Sequence, residues 1–352
     1  MITIITNAPV EFHSRTGAAK GNRPELRQKL ILNEIVNYFP KCKVIYDKGT
    51  LTSQYLSKVH DLDYLDFLQK AFVSLNESED NDWSDKTGAL IPNHMSKRKP
   101  LSQVPMYKFS GYYGSDFMTP IYKDSWDNAN LSAYLSYMAS QTLCQADDPC
   151  NVVYSLVCSP GHHAKTNQYG GYCFLNNACI AALRINELTE KKVAILDLDI
   201  HAGQGTAQIV NDNPLFKDRI FACSIHTDPT FEYPSFEGFE HDYNNESIIN
   251  IPLKGNPNWN KYKTALLTAG ERIKEWEVEV LVIAFGADTY MEDPDVSEKG
   301  RFRLELEDYD QMGKTIRELF PIIPILVTQE GGYCLDKVPE IVCRFLRNII
   351  SI

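Results

Sequence analysis

Short apolar runs rich in β-branched residues punctuate the chain at residues 2–5, 44–46, 152–157, 193–198, 220–225, 280–285 and 322–327. Several are apolar on both faces, as strands buried on both sides are. Helix-period patterns lie between many of them. Residues 25–39 place Leu26, Leu30, Leu32, Ile35, Val36 and Phe39 at helical spacing, and 177–187 and 261–276 read the same way. Alternating strands and helices predict an α/β fold, a mostly parallel sheet with helices on both faces. Ligands of such sheets sit beyond the carboxyl ends of the strands. No internal repeat is visible, and 352 residues suit one large domain, although two small ones would also fit.

One stretch breaks the rhythm. Residues 76–114 open with Glu77, Glu79, Asp80, Asp82 and Asp85, pass through Pro92 and Lys97-Arg98-Lys99-Pro100, and end in Tyr107, Phe109, Tyr112 and Tyr113. The acidic part reads as a solvated loop and the aromatic part as ordered against something. A formal net charge of −11 argues against a general nucleic-acid binder and permits steering of cationic substrates. The nine cysteines form no CxxC pair, so neither a zinc ribbon nor a disulfide framework is suggested, and a reducing, cytoplasmic setting is expected. No signal-peptide pattern opens the sequence and no apolar run approaches membrane-spanning length, so no membrane partner is expected.

Four groups of chemically capable residues follow apolar runs. Asp197, Asp199 and His201 alternate, which on a strand puts them on one side; two of them at its carboxyl end suit a divalent metal. Asp288, in Phe285-Gly286-Ala287-Asp288-Thr289, is either a third ligand or a helix cap. With Asp199 and His201 it would leave an open position, as catalytic zinc sites do. His162 and His163, in Pro160-Gly161-His162-His163-Ala164, can face one site only from a loop; there they would divide proton abstraction and donation. Tyr333, in Gln329-Glu330-Gly331-Gly332-Tyr333, is an oxyanion donor or part of a plain turn. Each signal is weak alone, but all four converge on one edge of one sheet.

Together these residues resemble the histone deacetylase and acetylpolyamine amidohydrolase superfamily. The resemblance rests on Pro160-Gly161-His162-His163-Ala164, the Gly170-Gly171-Tyr172-Cys173-Phe174-Leu175-Asn176-Asn177 segment, Asp197-Leu198-Asp199-Ile200-His201, Ser224-Ile225-His226, Gly286-Ala287-Asp288-Thr289 and Glu330-Gly331-Gly332-Tyr333, in that order. These cover about residues 150–340, and Val59-His60-Asp61 and Tyr64-Leu65 extend the likeness toward the N-terminus. The resemblance implies an arginase/deacetylase-like single domain over residues 1–352, built on a central sheet of about eight strands. It assigns one zinc ion to Asp199, His201 and Asp288, an acid/base pair to His162 and His163, and an oxyanion donor to Tyr333. Asp197 would orient His162 and, with Ser224, help enclose a structural potassium ion. Gly171, Tyr172 and Tyr233 would line a narrow tunnel for an acylated alkyl chain.

There are departures. Ala202 replaces a second histidine that is not a zinc ligand, Gln204 stands where a shorter Asp or Asn orients His163, and Cys158-Ser159 replace an Arg-Pro. Ser110-Gly111-Tyr112-Tyr113, Trp126, Tyr137-Met138-Ala139-Ser140, the run from Ser224 to Tyr233-Pro234 and the 76–114 insertion look like the acetylpolyamine branch. That branch implies a homodimer, a narrowed entrance and a small cationic acetylated amine as substrate. Asp295 is then either a tunnel-mouth acid for the substrate ammonium or a solvated loop residue. Acetylated peptide or protein is the alternative substrate; a non-catalytic acetyl-amine binder and a two-metal ureohydrolase are further alternatives.

Overall fold

The computed structural model describes residues 2–7, 24–78, 81–146 and 151–350. Its centre is one sheet of eight strands: β1 Ile2–Thr6, β2 Lys43–Tyr46, β3 Val152–Ser155, β4 Val193–Asp197, β5 Ile220–Thr227, β6 Ile248–Leu253, β7 Val280–Phe285 and β8 Ile325–Gln329. The strand order is β2-β1-β3-β8-β7-β4-β5-β6, and every pairing is parallel. The last strand made, β8, is the seam. It alone pairs with both β3 and β7, and so joins the three strands on one side to the four on the other.

Apolar side chains fill both faces of the sheet. Alternate residues of β4 go to opposite cores, Val193 and Ile195 to one, Ala194 and Leu196 to the other, and none is exposed. The first core is closed by helices Ser125–Cys144 and Asn177–Thr189. The first of these carries Ala129, Ala133, Ala139 and Ser140 inward, and Ser140 Oγ donates to the Ala181 carbonyl at 3.1 Å. The second core is closed by helices Pro24–Tyr38, Trp259–Glu275, Leu306–Leu319 and Val338–Ile350. The last buries Ile341, Val342, Phe345, Leu346 and Ile349 and turns Arg344 outward to Asp310, 2.8 Å away.

The apolar runs anticipate seven strands. The missing one is β6, whose Asn250 and Pro252 interrupt the apolar pattern; as an edge strand it tolerates both. The last run begins late: Pro321 and Pro324 keep the chain out of the ladder until Ile325, and Ile322 is 72% exposed.

The 76–114 stretch is more ordered than its acidity suggests. Glu79 and Asp80 lie outside the described residues. Beyond them Trp83 is buried against Tyr107 and His94, Ser84 and Leu90 form a bridge, and Leu90 bridges to Ile121. Tyr107, Phe109 and Tyr113 are buried, as the aromatic end implied. Among the described residues no helix is long and apolar enough to cross a membrane.

Candidate active site

Loops leaving β3, β8, β7 and β4, four neighbours in the sheet, meet at its carboxyl edge. β4 ends at Asp197, so pleat alternation cannot align the residues that follow. Hydrogen bonds do so instead: Asp199 N–H donates to Asp197 Oδ1 at 3.1 Å and His201 N–H to Asp199 Oδ1 at 2.9 Å. Asp288 Oδ1 accepts from Ile200 N–H at 3.0 Å. Asp288 is no helix cap, since the next helix among the described residues is Leu306–Leu319.

The ligating atoms of Asp199, His201 and Asp288 lie within 4.8 Å of one another, all buried. His201 Nδ1 is 3.1 Å from Asp199 Oδ1 and 3.5 Å from Asp288 Oδ2. Asp288 Oδ2 is buried without a hydrogen-bond partner. Burial opposes charge on His201, but the Asp199 and Asp288 carboxylates outweigh it and raise its pKa well above normal. Burial, then the Asp199 charge, raises the Asp288 carboxyl. Two carboxylates around one imidazole in a dry space demand a positive charge among them, and a divalent cation meets that demand. Gly331 is required here: a Cβ would stand 2.2 Å from Asp288 Oδ2 and 2.6 Å from Asp199 Oδ2. A second buried set, His162, Cys173 and Glu330, also converges. It suits a metal poorly, because burial raises the Cys173 thiol well above its usual range and so disfavours the ligating thiolate.

The two histidines do face one site from a loop. His162 Nδ1 donates to Asp197 Oδ2 at 3.0 Å, and His163 Nδ1 donates to Gln204 Oε1 at 2.7 Å. Gln204 therefore makes the contact its extra methylene put in question. The ring centroids are 3.9 Å apart, and His162 Nε2 lies 3.7 Å from Asp199 Oδ1. Burial works against protonating His162, yet Asp197 and Asp199 lift it to about 10. Burial, followed by the neighbouring His162 and His201 charges, drives His163 well below its ordinary value. The pair thus titrates as a unit with its two halves pushed apart.

Tyr333 is buried, and its ring meets that of Tyr172 edge-on at 6.0 Å. Burial, then Asp295, raises its phenol far above normal and keeps it a donor. Tyr233 meets His163 edge-on at 4.9 Å. Gly171 has φ +52°, and a Cβ on it would lie 2.1 Å from His163 Cδ2. Asp295 is half-buried and accepts from the Tyr172 hydroxyl; burial raises its carboxyl to about 6. Ser224 is the register partner of Asp197, and its Oγ accepts from Gly203 N–H at 3.3 Å and lies 2.8 Å from His226 Nδ1.

Residues 23–349 match the family model described as the histone deacetylase domain. The chain belongs to the histone deacetylase family. Among curated relatives of this deacetylase-family chain, acetylpolyamine amidohydrolase 1 of Pseudomonas aeruginosa is 35% identical over 80% of the chain and 79% of its own length. Acetylpolyamine amidohydrolase of Mycoplana ramosa is 31% identical over 83% and 82%. A crystal structure of acetylpolyamine aminohydrolase from Burkholderia pseudomallei aligns with TM-score 0.84, covering 99% of this chain and 98% of that one; at 24% identity it shares the fold. This is the arginase/deacetylase fold that the motifs implied.

Three carboxylates of the deacetylase site carried no assignment from the sequence. Glu330, buried and raised to about 7 chiefly by burial, accepts the backbone N–H groups of Gly161 (2.6 Å) and His162 (3.1 Å). Asp293 accepts those of Tyr333 (2.7 Å) and Cys334 (3.1 Å). Asp116 accepts from Gly171 N–H at 2.7 Å. The cue for Glu330 and Asp293 was adjacency to named motifs; for Asp116 it was the Gly-Tyr-Tyr segment just before it.

Proposed function

We propose that this chain is a zinc-dependent amidohydrolase that cleaves the N-acetyl amide of acetylpolyamines or related amines. The observation that carries the reading is the buried Asp199–His201–Asp288 set standing beside the His162–His163 pair and Tyr333. Relatives of that named activity, at 31% and 35% identity, support the substrate class.

Zinc held by Asp199, His201 and Asp288 would polarise the amide carbonyl and acidify a water molecule. The chain's own residues supply the rest. His163, neutral in its dry setting, takes the proton of the attacking water. His162, held positive by Asp197, offsets the negative charge that grows next to it. The Tyr333 hydroxyl donates to the carbonyl oxygen as the carbon becomes tetrahedral and the oxygen gains negative charge. His163 then returns its proton to the departing nitrogen, releasing carboxylate and free amine. Tyr172, Tyr233 and Gly171 line the tunnel for the alkyl chain, Asp295 faces the substrate ammonium, and Asp197 and Ser224 border a potassium ion. A homodimer belongs to the same reading.

An acetyl-lysine peptide presents the same end group and is the competing substrate. A mere acetyl-amine binder has no use for the histidine pair or Tyr333, and a two-metal ureohydrolase needs ligands that Ala202 does not provide. The test is kcat/KM of the zinc-loaded protein on acetylputrescine beside an acetyl-lysine peptide. Polyamine turnover should dominate, and Tyr333→Phe should lower kcat by about 10²–10³-fold, the usual loss for an oxyanion donor. A peptide preference would move the substrate to proteins, and turnover of neither would sink the hydrolase reading.

A further inference from the structure

The geometry points to Asp116 as the residue that sets the bore of the substrate tunnel, by bracing its two aromatic walls, Tyr172 and Tyr233, against each other; the inference rests on the amidohydrolase reading. Asp116 Oδ2 accepts from Gly171 N–H (2.7 Å), from the Tyr233 hydroxyl (3.1 Å) and from Thr119 Oγ1 (3.2 Å). Thr119 Oγ1 in turn accepts from Tyr172 N–H at 3.0 Å. One carboxylate oxygen thus holds one wall by its phenol and the other by two consecutive backbone N–H groups, one of them through a hydroxyl relay. Those backbone groups need holding. Gly171 and Tyr172 both have positive φ, +52° and +67°, and left-handed backbone is unfavourable for a residue with a side chain.

Asp116 has little left for a ligand. Its Oδ1 accepts from Met118 N–H at 2.8 Å and Oδ2 already serves three donors, so one acceptor position, on Oδ1, is left over. This separates it from Asp295, which the same mouth leaves for the substrate cation. The fit around the brace is tight. A Cβ on Gly170 would meet Ser115 Oγ at 1.9 Å, Asp116 Oδ2 at 2.8 Å and Tyr233 Oη at 2.9 Å. The 114–116 segment is also pinned to the tunnel wall, by a bridge from Gly114 to Tyr169 and a 2.8 Å bond from Ser115 N–H to the Tyr169 carbonyl. Tyr233 packs directly on His163, so a wall that drifts carries the acyl-binding end of the tunnel with it.

Asp116→Asn cannot keep this pattern. With its NH2 turned on Gly171 N–H the brace itself opens, and with its NH2 turned on Met118 N–H the loop that carries the brace loses its anchor. The test measures kcat/KM for N-acetyl- and N-butyrylputrescine on zinc-loaded parent, Asp116→Asn, Tyr233→Phe and the double variant. A loosened bore should raise the butyryl-to-acetyl ratio about tenfold in Asp116→Asn, the discrimination a methylene or two confers in an apolar pocket. Tyr233→Phe should raise it less. The double variant should exceed Asp116→Asn by less than the Tyr233→Phe factor, because the phenol's hold is already weakened there and its other neighbour, Ser115 Oγ, lies at 3.4 Å. An unchanged ratio, with both amides slowed in proportion, or shifts that simply multiply, would overturn the inference. Should Asp116→Asn fail to fold, Tyr233→Phe and Thr119→Val carry the same test, and each must raise the ratio. Parent protein inactive on both amides would refute the hydrolase reading instead. Calorimetric binding of the two amides to parent and Tyr233→Phe protein would then still read the bore, an unchanged ratio of Kd values counting against Asp116.

Discussion

Asp295 sits where its charge depends on the acidity of the medium. Burial lifts its carboxyl to about 6, so it is ionised at neutral pH and protonated as pH falls through that value. A cationic substrate bound beside it pulls the pKa back down, and the free enzyme shows the effect most. The kcat/KM for acetylputrescine should therefore drop below pH ~6 relative to that for a neutral acyl amide of equal length, since only the cation loses a partner. Asp295→Asn should remove the difference between the two profiles and weaken the cationic amide selectively. Matching profiles in the parent would return Asp295 to the role of a loop residue. At this scale the sequence discloses residues whose own side chains do chemistry. Asp199, His201 and Asp288 meet as their types suggested, and so do His162 and His163. It conceals those that act on backbone N–H groups across the fold. Glu330 grips Gly161 from 169 positions away, and Asp116 grips Gly171 from 55, and no pattern of types encodes either span.

Strands differ in how plainly they announce themselves. β4, β7 and β8 are buried on both faces and read as apolar runs, whereas β6 lies at the edge, is only half-buried at Ile249 and from Ile251 to Leu253, and is not among those runs. The 76–114 insertion is legible only as composition, since its order comes from Trp83, Tyr107 and Tyr113 packing on distant elements. The energetic counterpart is that β8 should tolerate truncation poorly. Leu326 is fully buried and lies in register with Val153 of β3 and Val282 of β7. Leu326→Ala should lower unfolding stability by about 2–5 kcal/mol, the range for such a cavity in a packed core. Chemical denaturation of parent and variant measures it; a change under ~1 kcal/mol would mean that the seam collapses around the lost side chain.

The whole molecule carries a formal net charge of −11, and its proposed substrate is a cation. Long-range attraction of that kind is screened by salt. Raising ionic strength from about 0.01 M to 0.15 M shortens the Debye length from about 30 Å to about 8 Å. Over that range kcat/KM for acetylputrescine should fall while that for a neutral amide holds steady, as steady-state assays at fixed pH would record. Parallel salt curves would mean that the acidity serves solubility alone. At this scale the alternation of runs conveys an α/β sheet, but the order of its strands is set by crossovers that no local pattern expresses.

That order bears on when the protein becomes an enzyme during its synthesis. The histidine pair follows β3 on one side of the seam, and the Asp199–His201–Asp288 set follows β4 and β7 on the other. β8 emerges from the ribosome after all of them, carrying Glu330, which fastens the histidine loop, Gly331, whose N–H reaches Asp199 Oδ2 at 2.9 Å, and Tyr333. A nascent chain can therefore hold the proposed acid/base pair and the proposed metal ligands before the strand that joins their two sides has been made. A chain that stops short of β8 lacks the strand that pairs with both β3 and β7, and with it Glu330, Gly331 and Tyr333.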